Sequence, residues 1–333
     1  MSATEAVRAG SHTAETEFIL LGFGRGLWME MFPFVMFLVI YIITMLGNTI
    51  LVLIIGADSQ LHTSMYFLLT NLSLLELGNS SSIAPRAMVS FLSGSKAISY
   101  NGCATQFFFV TFFLTTEGFV LAAMVYDQYL AICNPLRYPI TMSKWVCIWL
   151  VVGSYICGCA NSMVQTGFTF TLLFCGSNEM DHFFCDGPPL ISLSCSDTFF
   201  NNIVMFTLCG LIIVSTALIT LVSYVYIIST ILRINSAEGR HKAFSTCTSH
   251  LVVVALFYVS TALMYAQLTR LAFLYPRKVV SIFYTLFAPM LNPFIYSLRN
   301  KDVKDALRRT MSKKSLVKCV AFPQKSVKTN SIG

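Results

Sequence analysis

Long apolar runs without charged residues dominate the pattern along the chain. Six of them contain no Asp, Glu, Lys or Arg, at 31–57, 97–116, 145–178, 198–232, 243–269 and 279–298. A seventh run, 64–83, contains a single acid, Glu76. About 20 apolar residues let a helix cross a bilayer, and backbone groups in lipid must pair within their own segment. We therefore predict seven helical spans, close to 31–56, 64–84, 103–128, 145–165, 200–231, 243–265 and 279–298.

Composition supports a membrane location for these helices. Of the 333 residues, 56% are apolar and 11% are charged, and the mean hydropathy is +0.70, whereas about a quarter of a soluble domain is charged. The connections between spans are short, which favours one bundle over several domains. We predict an all-α membrane protein with an extracellular segment 1–30, a seven-helix domain 31–298 and a cytoplasmic tail 299–333.

The distribution of basic residues predicts the orientation of the bundle. With the N-terminus outside, 15 of the 22 Lys and Arg residues lie on the inner side, as the positive-inside rule requires. Ten of these follow the last span, where 299–310 has the pattern of a short amphipathic helix along the membrane. The net charge of +7 thus indicates contact with a lipid surface and not with nucleic acid. We expect a multi-pass protein of the plasma membrane whose first span is an uncleaved signal anchor.

Four of the 11 cysteines lie on the predicted outer side. Cys103 begins the third span, and Cys175, Cys185 and Cys195 are evenly spaced in the long outer loop. The outside of a cell is oxidising, so two disulfides are feasible. Four cysteines allow three connectivities, and spacing alone does not choose among them. In the same loop, His182 is expected to be polar surface.

Short motifs at the span ends carry a family resemblance. They are Gly47-Asn48, the segment 61–67 (Leu-His-Thr-Ser-Met-Tyr-Phe), the segment 124–138 beginning Met-Val-Tyr-Asp-Gln-Tyr, Ser223-Tyr224, the segment 242–251 (Lys-Ala-Phe-Ser-Thr-Cys-Thr-Ser-His-Leu) and the segment 289–300 beginning Pro-Met-Leu-Asn-Pro. Over about 18–307 the chain resembles the olfactory (odorant) receptors, a branch of the rhodopsin-like (class A) G-protein-coupled receptors. The 242–251 motif is specific to that branch, and no enzyme motif is present.

The resemblance implies a small volatile odorant as ligand, bound within the bundle. The expected contacts share one face of span three and one face of span six: Val110, Thr111, Leu114, Thr115, Tyr258, Thr261, Ala262 and Tyr265. Apolar side chains with a few hydroxyls suit a mostly apolar, neutral molecule. Glu117 lies about 10 Å further along the helix than Val110, so we expect it to lie beyond the ligand. The alternative is that these residues only pack the helices.

The resemblance also implies coupling to a heterotrimeric G protein of the stimulatory olfactory type. Positions that control activation in the family are occupied by Asp127, Gln128, Tyr224, His250 and Tyr296. Gln128 stands where the family has arginine, so the charged, five-donor fork is absent. Losing such a contact costs about 1.5–3 kcal/mol, and we predict weak coupling. The alternative is a non-signalling or poorly trafficked receptor-like protein; a transporter or channel is less favoured, because inverted repeats are absent.

Two acids lie deep in the spans. No Lys or Arg is deep enough to pair with Glu76 or Glu117, so each is either protonated or shares a cation. In the resembled family the matching acids and Asn292 form a mid-membrane sodium pocket, which implies an allosteric Na⁺ and no other cofactor. The resemblance further implies the disulfides Cys103–Cys185 and Cys175–Cys195.

Two departures from the family bear on stability and export. Ser64 stands where the family has proline, which we expect to loosen the start of span two. The family carries a glycosylation sequon near the N-terminus, but 1–47 contains no asparagine. The sequons at Asn71 and Asn79 fall inside span two, so we expect poor glycosylation and poor export.

Overall fold

Seven long helical segments pack into one bundle in the structure, a computed structural model. It describes residues 17–24, 26–93, 96–175, 178–268, 277–299 and 303–309. The segments are α1 Leu27–Ala57, α2 Ser64–Ser93, α3 Tyr100–Cys133, α5 Lys144–Phe170, α7 Phe199–Leu232, α8 Ala237–Leu268, and a seventh composed of α9 Arg277–Ile282, a π-helical turn Phe283–Phe287 and α10 Ala288–Arg299. Shorter helices are Ser59–Leu61 (3₁₀), α4 Tyr138–Thr141, α6 Gly187–Ser192 and α11 over 303–309.

Helix length and surface composition match a bilayer. Within the described residues, five helical segments are long and apolar enough to cross it, in α1, α3, α5, α7 and the α9–α10 segment. The more polar α2 and α8 have 30 and 32 residues, well above the length a span needs. Large apolar side chains such as Leu53, Ile156 and Leu211 are exposed on the outside of the bundle. A bilayer provides the apolar surroundings that these side chains require.

Several helices extend past the predicted spans. The second ends at Ser93 instead of 84, and the third runs from Tyr100 to Cys133 instead of 103–128. The polar extension of α2 is stabilised because the Arg86 guanidinium donates to the Ala97 carbonyl. Helix ends near the membrane surface tolerate such side chains, since the charged group reaches the polar interface.

A three-stranded sheet covers the outer end of the bundle. Its strands are β1 Glu17–Leu20, β2 Ala97–Ser99 and β3 Glu179–Met180. The N-terminal strand β1 is central, antiparallel to β2 and parallel to β3. Phe18 and Leu20 are fully buried beside the Cys103–Cys185 disulfide. The segment before the first helix is therefore part of the folded outer face.

Two apolar cores fill the bundle, one above the other, with a polar layer between them. On α2 the inner core includes Leu72 and Leu75 and the outer core includes Ile83, while Glu76 lies between these positions and is buried. The outer core is aromatic, with the Phe37 ring meeting Phe91 and Phe183 edge-on. This arrangement places the deep polar residues at one level of the membrane.

The helix after the last span packs its apolar side on the bundle. In α11, Val303 and Ala306 are buried in the inner core, whereas Lys304 and Arg308 are exposed. The Arg309 guanidinium bonds the Asp58 carboxylate of the first inner loop at 2.8 Å. The predicted amphipathic helix is present over 303–309, and the remainder of 300–310 lies outside the described residues.

Candidate functional site

A cavity of about 80 Å³ lies within the bundle, between α3, α5, α7, α8 and the π-helical turn. Its apolar wall comes from Leu114, Ile212, Ile213 and Phe257, and its hydroxyl groups come from Thr115, Thr216, Ser260 and Thr261. Apolar walls with a few polar groups are the lining expected of a small-molecule site. As a candidate site for a small molecule, this space is called the ligand cavity.

Three of the predicted ligand residues line this cavity, namely Leu114, Thr115 and Thr261. Among the described side chains, those of Val110, Thr111, Tyr258 and Ala262 are not in its wall. Val110 is buried in the outer aromatic core, and the Tyr258 hydroxyl lies 3.3 Å from Thr220 Oγ1. Thr111 is half-buried and Ala262 is exposed; the side chain of Tyr265 lies outside the described ones.

Polar residues on α5 form one wall of the ligand cavity, and the sequence did not predict this wall. Asn161 Nδ2 donates to Thr115 Oγ1 at 2.9 Å, and Gln165 Nε2 donates to Asn161 Oδ1 at 3.0 Å. Both side chains are buried, and Asn161 and Cys209 line the cavity. The sequence did contain a signal for this wall, namely two amide side chains four residues apart in an otherwise apolar span. Polar groups inside membranes face the protein interior.

Glu117 also lines the ligand cavity, although its distance along the helix from Val110 placed it beyond the ligand. The reason is that the cavity extends further along α3 than the predicted contacts, which end at Thr115 on this helix. Glu117 is close enough to Glu76 that two ionised carboxylates there would repel each other, so the floor of the cavity borders the polar layer.

The polar layer joins three helical segments around Glu76. The Asn292 amide of α10 donates to Glu76 Oε1, and Asn48 of α1 donates to the Pro289 carbonyl at 3.3 Å. Glu76 Oε2, Asn292 Oδ1 and Asn48 Oδ1 are buried without a hydrogen-bond partner among the described residues. Gly47 permits this approach, since a Cβ there would lie 3.0 Å from the Pro293 ring.

At the inner end, Tyr138 bridges the second inner loop and two helices. Its hydroxyl donates to Asp127 Oδ1 at 2.9 Å and lies 2.6 Å from Ser64 Oγ. Burial above all, together with the charge of Asp127, raises the pKa of Tyr138 to about 12. The hydroxyl therefore stays protonated and able to donate. Ser64, expected to loosen α2, contributes a contact between helix and loop.

Gln128 lies next to this bridge without a comparable contact. Its side chain is 5% exposed, and neither its amide nitrogen nor its oxygen has a partner among the described residues. It lines an open cavity of about 530 Å³ at the inner end, together with Asp127 and Tyr138. Of the other predicted activation residues, Tyr296 and His250 meet at 3.4 Å, and Tyr224 is buried.

Comparison with known proteins identifies the family of this chain. A family profile described as "Olfactory receptor" matches residues 37–314. The chain belongs to the olfactory receptor family. It is 55% identical to olfactory receptor 9S13 of Mus musculus, over 96% of each chain. It is also 56% identical to olfactory receptor OR9H1 of Homo sapiens, over 91% of this chain and 99% of that one.

Among solved structures, this olfactory receptor is similar to squid rhodopsin. The TM-score is 0.63 over 86% of each chain, at 16% sequence identity, which supports the fold alone. The predicted all-α membrane fold of seven helices is confirmed. The receptor is a class A, multi-pass protein of the plasma membrane and is not an enzyme.

The outer loop of the receptor contains both disulfides that the resemblance implies. Cys103 pairs with Cys185, and Cys175 pairs with Cys195. The first bond attaches the loop to the outer end of α3. The expectation that His182 is polar surface is wrong: it is fully buried, and its Nε2 lies 3.0 Å from Ser281 Oγ of α9. The loop folds inward at this residue, and the polarity of the neighbouring residues in the sequence could not predict that.

Proposed function

We propose that this olfactory receptor detects a small, mostly apolar and neutral odorant in the cavity between α3, α5, α7 and α8. The observation that supports the proposal is the composition of the wall, in which aliphatic side chains surround the hydroxyls of Thr115 and Thr261. The amide chain from Gln165 through Asn161 to Thr115 orients one of these hydroxyls. Such a wall favours a ligand held by apolar contact and one hydrogen bond.

Threonine-to-valine variants test the location of the ligand. After a panel of neutral volatiles has identified an agonist by cyclic AMP production, either Thr115→Val or Thr261→Val should raise its half-maximal concentration about fivefold or more, because a hydrogen bond contributes roughly 1 kcal/mol. Thr111→Val serves as the matched control, since Thr111 lies on the same helix outside the cavity wall. Equal shifts in all three variants would contradict the proposed site.

For signalling, we infer weak coupling to a stimulatory olfactory G protein. Gln128 supports this inference, because it is buried at the inner cavity and offers a neutral amide where the family has a guanidinium. Asp127, the neighbouring acid, bonds Tyr138. The opening at the inner end of this receptor therefore lacks the charged donor that a G protein meets in other family members.

A cyclic AMP assay in cells expressing the stimulatory olfactory G protein tests this inference. Gln128→Arg should increase the agonist response about 10-fold or more, the amount expected when one charge-assisted contact of 1.5–3 kcal/mol is restored. Surface staining of both chains normalises the response. Equal responses per surface receptor would show that Gln128 does not limit coupling, and silence of both chains would favour the non-signalling alternative.

We further propose an allosteric sodium ion in the polar layer, held by Glu76, Glu117 and Asn292. Buried carboxylate and amide oxygens without hydrogen-bond partners among the described residues are ligands of the kind that a hard cation prefers. A cation would also relieve the repulsion between the two acids. Its role would be to stabilise one arrangement of α2, α3 and α10.

Thermal unfolding of the purified receptor tests for this ion. Sodium chloride should raise the melting temperature relative to the same concentration of potassium chloride, because binding to the folded state stabilises it. Glu76→Gln should abolish the difference, whereas Asp305→Asn, which removes an acid outside the polar layer, should retain it. No sodium-specific difference in the natural chain would refute the proposal.

A further inference from the structure

A groove separate from the ligand cavity opens at the inner end of the bundle, between α1, α2 and the start of α5. Its volume is about 420 Å³. Its apolar part is lined by Val52, Ile55, Phe67 and Ile148, and its mouth is lined by His62, Thr63, Ser64 and Lys144. Phe67 and Ile148 are each 40% exposed, so the groove faces the lipid.

The mouth of this groove has the character of an anion site. Lys144 is exposed and has no ion pair among the described residues, and the described wall contains no acid. In addition, α2 begins at Ser64 and α5 begins at Lys144, so two helix N-termini, which favour negative charge, meet at the mouth. A polar, positive opening thus leads into an apolar groove.

We propose that this groove binds an anionic phospholipid of the inner leaflet, with the headgroup at Lys144 and one acyl chain along Phe67 and Ile148. The occupant follows from charge and shape together. A negative headgroup complements the charge of Lys144, which has no ion pair among the described residues. An acyl chain fits the apolar wall of the groove that faces the lipid. A sterol, with one hydroxyl, would leave Lys144 without a negative partner.

The groove shares a wall with the inner cavity that contains Gln128. Thr63 lines both spaces, and Ser64, in the groove wall, lies 2.6 Å from the Tyr138 hydroxyl. That hydroxyl in turn donates to Asp127. A headgroup at the mouth is therefore two hydrogen bonds from the acid at the inner end of α3.

Photolabelling of the full chain tests the site. The receptor is placed in phosphatidylcholine nanodiscs with a trace of phosphatidylserine or phosphatidylcholine that carries a diazirine on one acyl chain, and labelled residues are mapped by mass spectrometry. We expect the phosphatidylserine probe to label Val52, Phe67 or Ile148 about fivefold more than the phosphatidylcholine probe does. This is the preference expected from one lysine near an anionic headgroup.

Substitutions assign that preference to Lys144. Lys144→Gln should remove it, Lys144→Arg should keep it, and Lys304→Gln, which removes an exposed charge of α11 outside the groove, should leave it unchanged. Equal labelling by both probes would overturn the proposal. So would an equal loss with Lys304→Gln, or groove labelling by a diazirine sterol that excess phosphatidylserine fails to displace.

Discussion

The Tyr138 hydroxyl links three parts of the inner face by two short contacts. It belongs to the second inner loop, donates to Asp127 of α3 and meets Ser64 at the start of α2. Asp127 is buried, and a buried carboxylate that loses its donor bears the full desolvation cost. Gln128 is neutral and offers Asp127 no charged partner, so the Tyr138 hydroxyl is an important hydrogen-bond donor to this acid.

Removing the hydroxyl should therefore destabilise the receptor. Tyr138→Phe should lower the free energy of unfolding by about 1.5–3 kcal/mol, as for a hydrogen bond to a charged group. Ser64→Ala removes a bond between neutral groups and should cost about 0.5–1.5 kcal/mol. Thermal unfolding of the purified chains in one detergent gives the comparison, and a larger effect of Ser64→Ala would show that the bond to Asp127 is of minor importance.

The pH dependence of this contribution follows from the raised pKa of Tyr138. Its pKa rises from the ordinary value of 10.0 to about 12, chiefly through burial, so the folded state favours the protonated hydroxyl. The contribution is complete below pH 10 and is lost as the pH rises through about 12. The difference in melting temperature between the natural chain and Tyr138→Phe should thus be constant from pH 6 to 9. A difference that shrinks steadily over this range would contradict the assignment.

Small residues on α5 allow it to pack closely on α3. Ser154, Gly158 and Ser162 recur every four residues and are all buried, and the Ser162 hydroxyl donates to the Phe108 carbonyl at 2.5 Å. A Cβ on Gly158 would lie 2.1 Å from Thr116 Oγ1 and 3.2 Å from the Phe112 carbonyl oxygen. Close approach at small residues is a principal source of helix association in lipid, and this contact holds the Asn161 wall against Thr115.

Gly158→Ala should separate the two helices and reduce stability. Overpacking of this kind costs about 1–3 kcal/mol, and the shift should also weaken the agonist response, because Thr115 is the residue next to Thr116 on α3. Gly153→Ala is the matched control on the same helix, since its Cβ would meet nothing within 4 Å. The measurement is the melting temperature of each variant. A decrease in Gly153→Ala as large as that in Gly158→Ala would indicate a general effect of substitutions on α5.

The sequence predicted the elements that depend only on residues within the same segment of the chain. Seven runs of sufficient apolar length predicted seven helical segments, since the bilayer fixes the length of each. The strand β1 was missed because it has four residues and pairs with Ala97–Ser99 and Glu179–Met180, which are distant in sequence. His182 was misjudged for the same reason, as its burial depends on Ser281. For the ligand cavity, the face of α3 was partly identified, but the depth and the α5 wall depended on how the helices pack.

The outer end of the whole molecule is held together by contacts between parts of the chain far apart in sequence. The central strand β1 joins the N-terminal segment to the first and second outer loops. Lys96 pairs with Glu30 at 3.3 Å, and Lys278 pairs with Asp181 at 2.5 Å. Together with the Cys103–Cys185 bond, these contacts close the outer face only after the first and last helices have assembled. We therefore expect export of the receptor to require the entire bundle.

The position of the sequons predicts how that export can be improved. Asn71 and Asn79 both lie within α2, and Asn79 is fully buried, so neither can carry a glycan on the folded receptor. Ala9→Asn places an asparagine two residues before Ser11, which creates an acceptor site ahead of the sheet. A bulky, solubilising sugar at this site should increase surface staining of intact cells, with a mass decrease after glycosidase treatment. Ala9→Gln, an amide of similar polarity without a sequon, should leave staining unchanged. Glycosylation without a gain in staining would show that folding of the bundle, and not the missing glycan, limits arrival at the surface.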